Sequence, residues 1–353
     1  MGKLKRPRIL TAGRWRICLD NRGMLEIFEV TFPFFALVLC GYTAARRQML
    51  PLVAIPGLNT FVLFFALPCM LYRFGANTPI GQLLDPGASI TYLVCGLSIV
   101  ALVIAITLRE QIGWNDAAFG ALVGAFPNTG FLGVPLLVAI LGKQAAGTAI
   151  VTILVDLVIT TSLCIARSRL GGLVSAAGDD AQRVSPAQAA RNALRGVATN
   201  PMLWAILTGA MASAFGLVLP GPVDATLGLL ADCASPVALF TIGAVLARSQ
   251  IMAQEGQAPA VPWADVLPVV AIKLLIHPLL VLAVGLLAQS MDVPLADSAL
   301  TVMVLVAALP SASNVSMLAE RFGANNGRIA SIILVSTALA FFTFAAAVAL
   351  MTG

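Results

Sequence analysis

The sequence predicts an all-α polytopic membrane protein: ten transmembrane helices, two inverted five-helix repeats, and broken, crossing helices four and nine. Three observations predict it. Apolar residues make up 59% of the chain and charged residues 10%, with mean hydropathy +0.95, whereas soluble domains carry about 25% charged residues. Ten mostly apolar stretches approach the roughly 20 residues that cross hydrocarbon. Prolines, costly inside helices, recur at matching places in the two halves.

In chain order the predicted spans are 26–45, 55–74, 89–108, 117–141 and 147–167, then 199–218, 225–247, 265–288, 297–319 and 327–350. The first is preceded by a basic leader, 1–23. The second carries Pro68-x-x-Leu71-Tyr72-x-x-Gly75 and a polar Asn59, and the fourth is interrupted by Pro127-Asn128-Thr129-Gly130. The fifth holds Asp156 near its centre. A polar gap, 168–198, reads as a cytoplasmic hinge loop between a first repeat, 24–167, and a second, 199–353. The seventh span repeats the second as Pro236-x-x-Leu239-Phe240-x-x-Gly243, with Asp232 near its start as an interfacial cap. The eighth contains Lys273 and His277, and the ninth is interrupted by Pro310-Ser311-Ala312-Ser313-Asn314.

Lys and Arg in the connections set orientation. One set of alternate loops carries eleven: Arg46, Arg47, Arg109, Arg167, Arg169, Arg183, Arg191, Arg195, Arg248, Arg321 and Arg328. The other carries only Arg73 and Lys143. The first set is therefore expected in the cytoplasm, with both ends of the spanning region outside. The leader opposes this, holding seven of the 21 Lys+Arg and one of the 16 Asp+Glu. Either the orientation is reversed or the leader is not native; the second is favoured, because Met24 stands directly before span one. Without the leader the charges stand at 14 against 15, so the basicity does not point to nucleic acid.

The halves match at an offset of 168: Pro33, Gly41, Pro68, Leu71 and Gly75 recur as Pro201, Gly209, Pro236, Leu239 and Gly243. After a longer connection the offset is 183, where Pro127 meets Pro310. Five spans per half is an odd number, so the second half enters the membrane from the opposite side. Inverted repeats place the two broken spans together near the midplane, the usual position of a transporter's binding site. There the new half-helices offer unpaired amides and a positive dipole end to an anion. Pro127, Asn128, Thr129, Gly130, Pro310, Ser311, Ser313 and Asn314 are the candidate substrate-binding residues, the polar ones capping those amides or facing the ligand. Gly130 and Gly133 are expected to let backbones approach. A structural kink without a ligand is the plain alternative.

Ionisable residues inside spans are functional candidates by default. Asp156 and Lys273 are candidates for coupling to H+ or Na+, with a structural polar contact as the alternative, and Asn59 for the cavity wall or a bridge between helices. His277 reads as a hydrogen-bonded helix residue. The six cysteines lack metal spacing and read as core residues. One histidine excludes a His-rich metal site, and no H-E-x-x-H, G-x-x-x-x-G-K-[ST] or G-x-S-x-G pattern occurs. The expectation is a gradient-driven transporter, not an enzyme, without metal or cofactor. A cation/proton antiporter of the same architecture is the runner-up, and a sensory or structural membrane protein the third reading.

The run Phe126-Pro127-Asn128-Thr129-Gly130-Phe131-Leu132-Gly133-Val134-Pro135-Leu136-Leu137 resembles the auxin efflux carrier family, which includes plant PIN-type carriers and bacterial malonate-type permeases. Asn200-Pro201, Gly209, Pro220, Gly243-Ala244-x-Leu246 and Lys273-Leu274-Leu275 look like the bacterial members, and the likeness covers about 24–350. The resemblance implies a crossover of spans four and nine and organic acids as substrates. It associates Asn128 with substrate binding and places Asn314 in the second crossover. Ser311-Ala312-Ser313 follows the bacterial pattern, and the long central loop of the plant members is missing. The partners implied are a small organic anion and the lipid bilayer of the cell membrane, with a homodimer left open.

Overall fold

The computed structural model describes residues 21–79, 81, 85–109, 112–175, 191, 201–255 and 261–352. Residues 1–20 of the leader, and most of the predicted hinge loop, lie outside the described residues.

Among the described residues twelve helices follow in order. They are α1 Asn21–Arg46, α2 Leu52–Asn77, α3 Pro86–Thr107, α4 Trp114–Ala125, α5 Thr129–Leu141 and α6 Ala145–Ser168, which runs on to Ser175. Then come α7 Pro201–Phe215, α8 Gly221–Gln254, α9 Trp263–Ser290, α10 Asp297–Ala308, α11 Asn314–Arg321 and α12 Asn326–Thr352. No strand forms among the described residues. Six of the helices are long and apolar enough to cross a membrane: α2, α3, α6, α8, α9 and α12. Four shorter apolar helices, Phe32–Arg46, Thr129–Leu141, Pro201–Phe215 and Asp297–Ala308, lie where the other four spans are predicted. The stretches predicted as spans four and nine are each split, as α4/α5 and α10/α11.

Most predicted boundaries move by a few residues, α1 beginning at Asn21 inside the stretch read as leader, and two shifts matter for the readings above. The helix of span five continues to Ser175, into the stretch read as loop, and α8 begins at Gly221 rather than near 225. The second shift removes the capping role expected of Asp232. It lies three turns into α8, exposed, and forms a 3.1 Å ion pair with Arg73 of α2.

Wide π-turns interrupt three helices, at Val62–Ala66, Asp156–Thr160 and Ile272–Ile276, and a fourth opens α5 at Thr129–Gly133. Three of them stand immediately before a residue-proline pair, Leu67-Pro68, Val134-Pro135 and His277-Pro278. A proline lacks its N–H and its ring crowds the preceding turn, so the ladder slips to longer bonds there. The turn at Asp156 has no proline. Instead the Thr161 hydroxyl donates to the Asp156 carbonyl at 2.8 Å. Single π-turns of this kind concentrate at functional positions.

Helices α1 and α8 cross where side chains are missing. A β-carbon on Gly41 would overlap the Phe240 carbonyl, and one on Gly243 the Val38 carbonyl. Helices α2 and α7 cross the same way, Gly75 against the Ile206 carbonyl and Gly209 against the Tyr72 carbonyl. These are the four glycines of the sequence repeat. Gly41 and Gly209 are repeat mates, and so are Gly75 and Gly243; the α1–α8 and α2–α7 crossings each join one member of both pairs.

Candidate functional site: the crossing of two opened helices

Helix α4 ends because Pro127 cannot donate to it. The residue before a proline is pushed out of the helical region, and Phe126 is extended at φ −87°, ψ 105°. Leu309, before Pro310, is likewise extended at φ −63°, ψ 155°. Phe126 and Leu309 are repeat mates at the 183-residue offset.

The opened segments pair with each other. Pro127 lies antiparallel to Ser311. The Asn128 amide donates to the Pro310 carbonyl at 2.8 Å, and the Ala312 amide to the Phe126 carbonyl at 2.9 Å. Buried backbone groups need partners, above all in hydrocarbon, and each break supplies them for the other. Two further groups are held from outside. The Ser311 amide donates to Ser336 Oγ of α12 at 3.2 Å. The Ala307 carbonyl, whose helical partner would have been that amide, accepts from Lys273 Nζ at 2.6 Å.

What remains unpaired is polar and buried. Thr129 Oγ1, Ser311 Oγ and Asn314 Oδ1 have no hydrogen-bond partner, and Thr129 and Ser311 are fully buried. The expected capping is not seen at Asn128, whose side chain makes no cap at the start of α5. A small cavity of about 20 Å³ lies beside the crossing, with Asn128, Gly130 and Asn314 among its lining and Leu67, Leu71 and Ile153 as apolar wall. That is room for about one water. A second, of the same size, is lined by Ser249, Ser313 and Ser316 with Ile242 and Ile333.

The structure thus brings all eight candidate binding residues to one crossing. The expected backbone approach at Gly130 and Gly133 does not occur: the nearest atoms to their would-be β-carbons are side chains, Leu67 and Leu309. Asn59 is half-buried on α2 and lines neither cavity.

Asp156 and Lys273 belong to a buried cluster that touches the crossing through the Lys273 bond to Ala307. Asp156 accepts from Tyr92 at 3.1 Å and from Thr160 at 3.2 Å. Lys273 Nζ lies 3.4 Å from His277 Nδ1. All four of Asp156, Lys273, His277 and Tyr92 are fully buried. Sequence reasoning passed over Tyr92 and Ser336. Tyr92 is one of three tyrosines, and a lone hydroxyl in an apolar span needs a partner; that signal was available. Ser336 carried none, because serines bond their own helix so readily.

The sequence matches the family described as "Membrane transport protein" over residues 26–348. The chain belongs to this family, the auxin efflux carriers. It is similar, at 29% identity, to the "Putative malonate transporter" of Rhizobium meliloti (strain 1021), over 91% of this chain and 94% of that protein. It is also 26% identical to the "Uncharacterized transporter YfdV" of Escherichia coli (strain K12), over 82% of this chain and 86% of that one. As a family member the protein is a multi-pass membrane transporter of small molecules, not an enzyme.

Proposed function

We propose that the protein carries small organic anions, carboxylates in particular, by alternating access, with the substrate held at the crossing of α4/α5 with α10/α11. One observation supports this most: two asparagines line one cavity at a point where buried polar oxygens lack partners and two half-helices begin. Amides and carboxamides give a carboxylate charge-assisted hydrogen bonds without a buried arginine. The cavity is far below the ~300–1,000 Å³ of pockets that enclose drug-sized ligands, so the crossing must open to admit one. The printed name of the Rhizobium relative makes malonate the first probe.

The reading includes ten spans in two inverted repeats, 24–167 and 199–353, with 168–198 cytoplasmic and the C-terminus outside. In its support, the two glycine crossings are related to each other by the 168-residue offset, and the two extended pre-proline residues by the 183-residue offset. The antiporter reading needs paired mid-membrane carboxylates, and Asp156 is the one buried carboxylate among the described residues.

The test is uptake into proteoliposomes from a panel of mono- and dicarboxylates, with imposed pH and sodium gradients. Saturable uptake of at least one carboxylate, competed by its analogues, is expected. No carboxylate uptake together with cation exchange would overturn the reading. Orientation is checked by single-cysteine labelling at Ser290, which should react from outside only.

A further inference from the structure

Asp156 and Lys273 are both fully buried and interact electrostatically. Among the described residues, however, they do not form an ion pair. The carboxylate is held by the Tyr92 and Thr160 hydroxyls. The ammonium is spent on the Ala307 carbonyl, 2.6 Å away, and on His277. That carbonyl ends α10, where the negative end of the half-helix dipole favours a cation, and it is free only because Pro310 breaks the span. Burying opposite charges apart is costly. The cost falls if the carboxylate takes a proton, or if the ammonium leaves Ala307 for the carboxylate.

We propose that Asp156 is a proton-binding site, and that Lys273 is the positioning residue that transmits its charge state to the crossing. With Asp156 protonated, Lys273 stays on Ala307 and holds the end of α10 as seen here. With Asp156 ionised, the carboxylate draws the ammonium away and releases that end. The titratable groups that act on Asp156 are Tyr92 on α3, Cys164 on its own helix and Lys273 on α9, with Cys95 beside Tyr92 and His277 beside Lys273. Helix α10 contributes apolar side chains and the Ala307 carbonyl. A neutral His277 ring that accepts from Lys273 at Nδ1 carries its proton on Nε2, a buried donor without a partner. Because coupling is reciprocal, an anion at the crossing must change proton affinity at Asp156 by the factor that the proton changes anion affinity. This last step rests on the substrate site proposed above; the proton site does not.

The test begins without substrate. Purified full-length protein is titrated with pH while infrared difference spectra follow the protonated-carboxyl band. A titrating band is expected, lost in Asp156→Asn or, if that variant does not fold, shifted in Asp156→Glu. Its midpoint should move in Lys273→Met and return toward wild type in Lys273→Arg. A band unchanged in the Asp156 variant, or a midpoint unmoved in Lys273→Met, overturns the proposal. Malonate affinity is then measured across the same pH range. Affinity that varies in wild type and is flat in the Asp156 variant supports the coupling; equal, pH-independent affinity in both sinks it. A titrating band with no carboxylate bound at any pH would instead sink the anion reading and leave the proton site standing.

Discussion

The α1–α8 and α2–α7 crossings and the crossing of α4/α5 with α10/α11 are both built from repeat-related residues, but by opposite subtractions. At the first, glycine removes the side chain, and helix backbones touch through Gly41, Gly75, Gly209 and Gly243. At the second, proline removes the hydrogen bond, and the opened backbones pair through Asn128 and Ala312. Close backbone contact is dense, dry and intolerant of displacement, and in lipid it is the main source of helix association. A broken ladder leaves polar atoms to be satisfied by something else, and Thr129, Ser311 and Asn314 still hold unpaired oxygens. One region is suited to stay closed, the other to receive a ligand.

The comparison breaks most directly at Gly243. Gly243→Leu would drive a side chain into the Val38 carbonyl, which belongs to backbone and cannot swing aside. Overpacking of this kind costs about 3 kcal/mol. The expected outcome is a large fall in the thermal midpoint of purified protein, or loss of monodispersity. Wild-type stability would mean that the helices part freely there.

At the other crossing the loss should fall on binding, not folding. Asn128→Ala and Asn314→Ala each remove a carboxamide that lines the cavity. A hydrogen bond to a charged group is worth about 1.5–3 kcal/mol, so carboxylate affinity should drop roughly 10- to 100-fold with the thermal midpoint unchanged. If both touch one ligand, the double variant should be non-additive. Wild-type affinity in both single variants would leave the prolines as structural kinks.

Much of this was legible, for reasons that differ by residue. Pro127 and Pro310 announce their breaks, because a missing N–H acts locally whatever packs around it. The glycines recur at one offset, yet the offset cannot say that Gly41 meets α8 while its mate Gly209 meets α2; partner choice is tertiary. The Asp232 cap failed because α8 begins earlier than hydropathy suggests, and a polar residue near an apolar boundary looks the same whether it caps a helix or pairs across to Arg73. Lys273 read as an intramembrane charge, but its bond to Ala307 follows only once the break has freed that carbonyl.

Ser336 sharpens the picture of how the open crossing is held. Ser336→Ala would leave the Ser311 amide buried without its acceptor. An unmet buried donor costs about 1–3 kcal/mol, and the lower end applies if the Ser311 amide finds another acceptor. A modest fall in thermal midpoint is expected, together with weaker carboxylate binding, since Ser311 is part of the crossing. A fall in stability alone would detach α12 from the site.

The smallest effect is expected at the Arg73–Asp232 pair, which joins α2 to α8 within the closed region. Its side chains are 38% and 77% exposed. An exposed pair gains little Coulomb energy and must fix two side chains, so its worth is about 0–1 kcal/mol. Asp232→Ala should shift the thermal midpoint by little, and added salt should erase the difference between variant and wild type. Gly243→Leu lies on the same helix, so the two variants read the same assembly through different forces. If glycine contact holds that assembly, the glycine variant costs several times the aspartate variant at every salt concentration. Equal costs would shift the credit from backbone contact to the ion pair, and the distinction between a region closed by subtraction of side chains and one opened by subtraction of hydrogen bonds would no longer stand.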